Sequence, residues 1–294
     1  RCSIGIQDFN EEVLRTANRK GSLLPPARIF ELLREHDVSI NLDFIYGLPG
    51  QTAAGFEETI KQAASLRPDR LVTFSYAHVP WVNKDMLKLE KAGLPEAEEK
   101  SNMYRRAAAS LSERGYVPVG LDHFVQPDDS LHVALQNGLL HRNFQGYCTR
   151  ATTGQVYAFG VTAISQLAAA YSQNIRGVQE YIDKASQGEL PVMRGYVLNE
   201  QEQLAREVIT TFMCNNRLNW KELSLHIGIP VDEIMDRLAF DRHKLEEMAD
   251  DGLITYSPEE ISITESGTLF IRNVAAVFDP LMRGGSEKSF SKPV

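Results

Sequence analysis

Residues 38–76, with the sequence VSINLDFIYGLPGQTAAGFEETIKQAASLRPDRLVTFSY, decide the fold class of this chain. An apolar run over residues 38–45 precedes a turn rich in glycine and proline, and Thr52 can cap a helix that continues to about Ser65. Residues 71–76 form a second short apolar run, which is typical of a buried strand. Two such strands joined by one helix predict a parallel crossover, and therefore an α/β fold.

The same alternation of strand and helix extends upstream. Residues 2–6 predict a strand, and residues 11–19 and 27–36 predict helices. Downstream, residues 96–114 predict a long helix and residues 116–121 a further strand. In parallel α/β folds, ligand groups cluster where the strands end. Polar groups occupy these ends here, namely Gln7, Asp43 and the Ala77-His78 pair. We take residues 1–120 as one domain.

Residues 121–198 are predicted to be rich in loops, with helices at 163–171 and 178–186. Within them lies the heptapeptide HRNFQGY of residues 141–147, which gathers an imidazole, a guanidinium, two amides and two aromatic rings around Gly146. Neither a helical nor a strand period accounts for this segment, so it predicts a binding loop. The alternative is an ordered surface loop whose His and Arg bond nearby carbonyl groups.

Residues 199–294 show a different pattern, with three helices followed by a small hairpin, which predicts a winged-helix-like domain. Such domains often bind DNA, but this one carries 10 Lys or Arg against 17 Asp or Glu. Neutralising phosphate groups requires clustered cations. We therefore expect this domain to pack against the α/β part or against a protein partner.

The overall composition argues for an ordinary cytoplasmic protein. The chain has 294 residues, 43% of them hydrophobic, and a formal charge of −8. This acidic balance argues against a general binder of nucleic acid or of anionic membranes. No apolar run reaches the length of a membrane span. Cys2, Cys148 and Cys214 are too few and too far apart for a disulfide framework, and they are expected to be free thiols.

Three polar residues stand out in the α/β part. Gln7 ends a strand and is not needed as a helix cap. Asp8 or Asn10 could cap the following helix, and for Asp8 this reading is favoured over a ligand contact. Arg19 either contacts a ligand or complements a helix dipole. Asp43 lies in an apolar strand on the side opposite its neighbours, and a ligand contact is favoured over a structural pairing. His78 and His123 are expected to have structural roles, and no His pair has the spacing of a zinc site.

Taken together, several segments resemble the oxygen-independent coproporphyrinogen III dehydrogenases, a family of radical S-adenosylmethionine enzymes. The matching segments are residues 3–9 (SIGIQDF), 18–19 (NR), 43–52 (DFIYGLPGQT), 69–71 (DRL), 76–78 (YAH), 122–124 (DHF), 141–147 (HRNFQGY) and 160–165. The resemblance covers nearly the whole chain. It implies a partial (β/α) TIM-like barrel of the radical S-adenosylmethionine type, followed by the winged-helix-like domain.

The resemblance also implies an activity. In this family a [4Fe–4S] cluster cleaves S-adenosylmethionine, and the 5′-deoxyadenosyl radical removes hydrogen from a propionate of coproporphyrinogen III. Loss of CO₂ leaves a vinyl group, which gives protoporphyrinogen IX in anaerobic heme biosynthesis. Two S-adenosylmethionine molecules and an electron donor for the cluster are implied. By position, Gln7, Arg19 and Asp43 would contact the second molecule, and Ala77 and Ile164 the first.

The chemistry of the heptapeptide region adds an expectation about the substrate. His141, Arg142 and Arg150 could supply cations for the propionate groups. The resemblance leaves two alternatives open. One is a heme-binding chaperone of the same fold, although the heptapeptide argues against it, and the other is a non-catalytic protein-interaction module.

One part of the family pattern is missing. The cluster of these enzymes is held by a C-x₃-C-x₂-C loop, and the sequence contains no such motif. The opening strands of the barrel are missing too. We therefore expect a piece of a longer enzyme, inactive by itself, whose open strand edges would let two copies pair as a dimer.

Overall fold

The computed structural model describes residues 1–144, 146–150 and 155–282. The chain divides into two compact units, and the boundary between Val133 and Ala134 falls within one short helix. We call residues 1–133 unit 1 and the described residues from 134 onward unit 2. Each unit is described separately below.

Unit 1 alternates strands and helices along the chain. Its elements, including the helix that crosses the boundary, are β1 Cys2–Gln7, α1 Glu11–Thr16, α2 Pro26–Arg34, β2 Ile40–Tyr46, α3 Ala53–Ser65, β3 Arg70–Ser75, α4 Met86–Lys91, α5 Ala97–Ser112, β4 Val117–Val119, β5 His123–Val125 and α6 Ser130–Gln136.

A five-stranded sheet in the order β1-β2-β3-β5-β4 forms the centre of unit 1. The first three strands are parallel, as residues 38–76 predicted, while β5 runs antiparallel to both β3 and β4. The predicted cap at Thr52 is confirmed, because its Oγ1 accepts a hydrogen bond of 3.1 Å from the amide of Gly55. Residues 1–133 therefore adopt the predicted α/β architecture.

The hydrophobic core of unit 1 lies on one face of this sheet. Leu42, Phe44 and Tyr46 alternate along β2 and are buried against helices α2, α3 and α5. Burial of each large apolar side chain stabilises the fold by roughly 1.5–3 kcal/mol. Asn41 and Asp43 occupy the intervening positions and therefore lie on the opposite face. The core thus fixes which strand residues are available to a site.

Unit 2 contains three small sheets and most of the remaining helices. Its elements are β6 Leu140–Asn143, β7 Gly146–Thr149, β8 Ile164–Gln166, β9 Ala170–Asn174, α7 Val178–Ser186, β10 Val192–Val197, α8 Glu200–Asn215, β11 Arg217–Asn219, α9 Trp220–Ile227, α10 Val231–Leu238, α11 Arg242–Asp250, β12 Ile254–Tyr256, β13 Glu260–Ile263 and α12 Ile271–Ala276.

Two segments of unit 2 differ from the sequence-based expectation. Residues 163–171 were predicted to be helical, but they contain β8 and the start of β9, which pair in an antiparallel sheet with β10. The heptapeptide was predicted to be a loop, but β6 and β7 make it a hairpin in which Arg142 pairs with Tyr147. Gly146, with φ of 128°, permits the turn instead of ending the element. Gln145 lies outside the described residues.

Helices α8 to α11 and the sheet β11-β13-β12 form the winged-helix-like part of unit 2. Asn199 and Glu202 form a capping box at the start of α8.

Trp220 is 2% exposed and stacks on Phe240 with ring centres 5.7 Å apart, and Phe278 packs against both rings. Trp81, in the turn between β3 and α4 of unit 1, is 54% exposed. The two tryptophans therefore have opposite environments.

Gly267 marks a close backbone contact in the same part of unit 2. A Cβ atom at this position would lie 1.8 Å from the carbonyl oxygen of Leu253, although the backbone φ of −79° suits any residue. We expect Gly267→Ala to lower the free energy of unfolding by about 2 kcal/mol or more, because the backbone must shift. Thermal unfolding measures this, with Gly21→Ala as control, since no atom lies within 4 Å of a Cβ there. Equal melting temperatures for the two variants would contradict the contact.

Across residues 1–144, 146–150 and 155–282, no helix combines the length and the apolar character needed to cross a membrane.

Candidate functional site

The face of the unit 1 sheet opposite the helices carries a row of residues in register. Gly5 on β1 pairs with Asp43 on β2, Asp43 pairs with Val72 on β3, and Val72 pairs with His123 on β5. Paired residues on neighbouring strands project to the same side of a sheet. We call this side the polar face, and its defining members are Ser3, Gly5, Asn41, Asp43 and His123.

Gln7 and Arg19 meet above Gly5, next to Asp43. A Cβ atom on Gly5 would lie 2.5 Å from Nε2 of Gln7 and 3.9 Å from Nη1 of Arg19. Nη1 of Arg19 donates to the carbonyl oxygen of Gly5 at 3.5 Å. The absence of a side chain on Gly5 thus makes room for an amide and a guanidinium. Three residues singled out in the sequence therefore converge at the end of β1.

The backbone of Gln7 is strained in a way that supports this arrangement. Its φ of 69° lies in the left-handed region, which is unusual for a residue other than glycine, and the register between β1 and β2 shifts between Gly5 and Gln7. Gln7 is nevertheless only 7% exposed. Residues held in such conformations often belong to functional sites. The conformation turns the amide over Gly5, where a regular strand would not place it.

Asp43 is a half-buried carboxylate with one neutral hydrogen-bond donor. Nδ2 of Asn41 donates to its Oδ1 at 2.7 Å. Burial, and to a lesser extent the nearby Asp122, raise the pKa of the Asp43 carboxyl above its ordinary value, and together they outweigh the lowering by Asn41 and His123. A carboxylate that burial destabilises in this way is stabilised when a cation binds next to it. The site is therefore suited to an ammonium or sulfonium group.

Arg19 is exposed and follows the end of α1 at Thr16, so it does not lie within the helix as expected. Its guanidinium is suited to a carboxylate. Arg19 lies over Gly5, and Gly5 pairs with Asp43 on β2, so a cationic and an anionic side chain occupy the same face. A zwitterionic amino-acid group would match both.

Asp8 has a role that the sequence did not reveal. Capping of α1 was the favoured role for Asp8, but Asn10, the other candidate, is the cap, and Asp8 is 2% exposed. Its carboxylate accepts hydrogen bonds from Thr59 Oγ1 at 2.6 Å, from Gln51 Nε2 at 2.7 Å and from the amide of Asn10 at 2.8 Å. Gln51 belongs to the YGLPGQT turn after β2. Asp8 therefore ties the loop that follows Gln7 to that turn.

The remaining predicted residues of the two units take the following positions. Ala77 is exposed just after β3, and His78 beside it has Nδ1 3.4 Å from the hydroxyl of Tyr76. Ile164 is the first residue of β8 in unit 2, where it is half-buried and pairs with Gln173. The predicted contacts of Ala77 and Ile164 with a cofactor stay predictions.

Arg142 in unit 2 lines a cavity of about 550 Å³. Within the part of the chain that the structure describes, its buried Nε has no hydrogen-bond partner. Its guanidinium carbon lies 5.5 Å from the centre of the Tyr147 ring. The lining of the same cavity includes the apolar side chains of Leu198, Ile209 and Met213. A buried donor beside an apolar wall favours a ligand that has both an acid group and an apolar body.

His141 and Arg150 line a second cavity, of about 430 Å³, and do not share the cavity of Arg142. Adjacent residues of a strand project to opposite sides, which separates His141 from Arg142. Arg150 donates to Glu207 Oε1 and to His226 Nε2, each at 2.6 Å. Burial lowers the pKa of His141, as does the nearby Arg150. Arg150 is thus already paired, and His141 favours its neutral form.

The cysteines do not fit an iron–sulfur cluster. Cys2 belongs to unit 1, while Cys148 and Cys214 belong to unit 2. Burial raises the pKa of the Cys214 thiol to about 12, which disfavours the thiolate that a cluster needs. No group of three or more His, Cys, Asp or Glu side chains with metal-binding geometry occurs among residues 1–144, 146–150 and 155–282.

Known proteins resemble this chain over most or all of its length. Residues 198–270 match the family model described as the HemN C-terminal domain. An oxygen-independent coproporphyrinogen III oxidase from Synechocystis is 36% identical over 100% of this chain and 64% of its own length. A solved structure of coproporphyrinogen III oxidase from Escherichia coli, described as a radical SAM enzyme, superposes with a TM-score of 0.83 at 38% identity. The superposition covers 95% of this chain and 64% of the Escherichia coli chain.

The extent of these matches differs among the relatives. The chain spans less than two thirds of the Synechocystis and Escherichia coli proteins. The oxygen-independent coproporphyrinogen III oxidase from Thermostichus vulcanus is 34% identical, and the match covers all of this chain and 90% of that relative. On this similarity, the chain belongs to the family of oxygen-independent coproporphyrinogen III oxidases.

Proposed function

We propose that this chain forms part of an enzyme that converts propionate groups of coproporphyrinogen III to vinyl groups by oxidative decarboxylation. The product would be protoporphyrinogen IX, in anaerobic heme biosynthesis. The observation that carries the proposal is the convergence of Gln7, Arg19 and Asp43 around Gly5 on the polar face. The names of the relatives support the same reaction and favour an enzyme over a heme chaperone.

The polar face fits the amino-acid part of S-adenosylmethionine. Arg19 would hold its carboxylate, and Asp43 would attract its ammonium or sulfonium group. Gln7 would hydrogen-bond to the same molecule. When bound, S-adenosylmethionine would supply the chemistry for removing a hydrogen atom from the substrate. Two such molecules are proposed for the intact enzyme.

The [4Fe–4S] cluster of the proposed enzyme would need ligands other than the described residues of this chain. By itself the chain is expected to be inactive, since nothing in its described part would cleave S-adenosylmethionine. An electron donor for the cluster is a further proposed partner. The contribution of this chain would be to bind and orient the cofactor and the substrate.

Arg142 is the residue that we propose for a substrate propionate. Its Nε is a buried donor, and the apolar wall of the same cavity suits the pyrrole rings of a porphyrinogen. His141 and Arg150 line a different cavity. They would take part only if the substrate reached both cavities, and Arg150 would first have to leave Glu207.

The experiment that tests the function uses a full-length protein that contains this chain, reconstituted anaerobically with cluster and S-adenosylmethionine. Conversion of coproporphyrinogen III with release of CO₂ is the expected result. A protein that cleaves S-adenosylmethionine and leaves the porphyrinogen unchanged would refute the proposal.

In that protein, Arg142→Ala is expected to raise the KM for coproporphyrinogen at least about tenfold, because one charge-assisted hydrogen bond contributes roughly 1.5–3 kcal/mol. Cleavage of S-adenosylmethionine without substrate should change little. Arg242→Ala, which removes an equal charge at the start of α11, is the matched control. An unchanged KM for Arg142→Ala would remove this residue from the substrate site.

Two further expectations stay proposals. Strand β1 lies at the edge of the five-stranded sheet, and we propose that such edges allow two copies of this chain to pair. Sedimentation of the chain over a range of concentrations would test the dimer.

The predicted cytoplasmic location would be tested by fractionation of cells.

A further inference from the structure

The cavity of Arg142 in unit 2 contains a second cation, Arg206, which has no role in the function proposed above. Nη1 of Arg206 donates to the carbonyl oxygen of Leu167 at 3.2 Å, and Nη2 donates to that of Ala168. These bonds use two of the five N–H donors of a guanidinium. Among the residues that the structure describes, no carboxylate forms an ion pair with either arginine. Both positive charges are therefore available to an anion.

Glu202 is placed to neutralise Arg206 but is engaged elsewhere. The two residues are four positions apart on α8, a spacing at which acidic and basic side chains commonly pair. The Glu202 carboxylate instead accepts hydrogen bonds from the hydroxyl of Tyr196 and, at 2.9 Å, from the amide of Asn199. Asp279, which also lines the cavity, accepts at 2.9 Å from the backbone amide two residues later. The acids that line the cavity therefore do not balance its two cations.

An apolar stretch of α8 separates the two cations. Arg206, Ile209 and Met213 follow the helical period and line the same cavity. Arg206 lies at one end of this stretch, which is about 10 Å long. Arg142 lies at the other end, because its guanidinium packs on Tyr147, whose hydroxyl donates to the carbonyl oxygen of Met213 at 3.4 Å. The cavity therefore has a cation at each end of an apolar surface.

We infer that Arg206 is a specificity-determining residue that binds a second carboxylate of the ligand, while Arg142 binds the first. The inference rests on the substrate site proposed for Arg142. The ring of Tyr171, whose centre lies 5.8 Å from the guanidinium carbon of Arg206, helps to orient this cation. The ligand class is an apolar body with acid groups at two ends, which the propionates on different pyrrole rings of coproporphyrinogen III supply. A ligand with one acid group would leave one guanidinium unpaired, which favours the ligand with two.

The test is the affinity of the 294-residue chain for coproporphyrinogen III, measured anaerobically by equilibrium dialysis at low and high salt. Arg206→Gln should weaken binding about tenfold at low salt, the loss expected for one charge-assisted hydrogen bond. Salt should reduce this loss, because it screens the contact between two charges. Arg242→Gln removes an equal charge at the start of α11 and is the control. An affinity equal to that of the control, or a loss that salt does not change, would overturn the inference.

A double variant shows whether the two arginines hold different carboxylates. Arg142→Gln should also lose about tenfold in affinity, and the double variant should lose about 100-fold, because independent contacts add in free energy. A double variant that binds as well as Arg142→Gln would mean that the two arginines share one carboxylate. This result would overturn the inference and leave the role of Arg142 intact. No binding by the wild-type chain would overturn the proposed substrate site and this inference with it.

Glu202→Gln tests the same inference without altering Arg206. Glutamine can keep the capping box at the start of α8, so the helix retains its cap. The substitution removes a negative charge from the cavity, and it should strengthen the binding of coproporphyrinogen III about threefold. Glu200→Gln is the control, because Glu200 lies in the same turn of α8 but is 87% exposed. If Arg206→Gln does not fold, an unchanged affinity in Glu202→Gln would still overturn the inference.

Discussion

Asp43→Asn is expected to weaken the binding of S-adenosylmethionine to this chain by about 100-fold. Loss of a half-buried charge partner for a cation costs roughly 2–5 kcal/mol, and each 1.4 kcal/mol is a factor of about ten. Asparagine keeps the shape of the side chain, and Asn41 can still reach it. The measured change would therefore report the charge of Asp43 and not its volume.

The control for this variant is Asp85→Asn in the same unit. Asp85 is 77% exposed and pairs with Lys88 at 2.9 Å, so its loss changes the net charge equally at a solvated position. S-adenosylhomocysteine, which lacks the sulfonium charge, shows which cation Asp43 contacts. A smaller loss for this ligand than for S-adenosylmethionine points to the sulfonium, and an equal loss points to the ammonium. Unchanged affinity for both ligands would remove Asp43 from the site.

Asp8→Ala is expected to lower the free energy of unfolding of unit 1 by about 3–5 kcal/mol. The Asp8 residue is only 2% exposed, so water cannot readily replace its carboxylate. The substitution leaves three donors without their acceptor: the Thr59 hydroxyl, the Gln51 amide and the backbone amide of Asn10. Gln51 also donates to the carbonyl of Ile45 and accepts from the amide of Leu48. The loss would therefore loosen the turn after β2 as well as the loop after β1.

Denaturant unfolding measures this loss, and Thr59→Val provides a graded comparison. Removing one hydroxyl donor should cost about 1 kcal/mol. Because the two residues share a hydrogen bond, the double variant should be less destabilised than the sum of the single variants. Glu12→Ala, at an exposed position of α1, serves as the control. A loss for Asp8→Ala no larger than that of this control would show that Asp8 does not stabilise the unit.

The parallel part of unit 1 could be predicted because its signals are local. Apolar runs mark β2 and β3, and Thr52 marks the start of α3 within a few residues of the helix itself. The alternation along β2 also placed Asp43 on the face opposite Leu42 and Phe44, which the structure confirms. Each of these inferences needed only the geometry of a single element.

Asp8 was misassigned because its partners are distant in sequence. Gln51 and Thr59 lie 43 and 51 positions away, so nothing near Asp8 indicates them. A short polar residue ahead of a helix favours a cap, and Asn10, two positions later, takes that role. The buried network follows from the packing of the loop against the turn, which no local pattern encodes.

The hairpins of unit 2 were missed for a different reason. Residues 163–171 are rich in alanine, which favours a helix, but pairing of β8 and β9 with β10 overrides this preference. The two strands that overlap the heptapeptide, β6 and β7, have four residues each, too few for a period of two to be visible. The placement of His141 and Arg142 in separate cavities follows only once β6 is known to be a strand.

The opposite environments of the two tryptophans provide an optical readout for each unit. Trp220 in its buried aromatic group should emit at shorter wavelengths than Trp81, which is open to solvent. The chain contains no other tryptophan. In Trp81→Phe, the red shift of the remaining fluorescence would follow unfolding of unit 2 alone, and in Trp220→Phe the signal would come from unit 1 alone. Comparing their transitions would show whether the two units unfold together or one after the other.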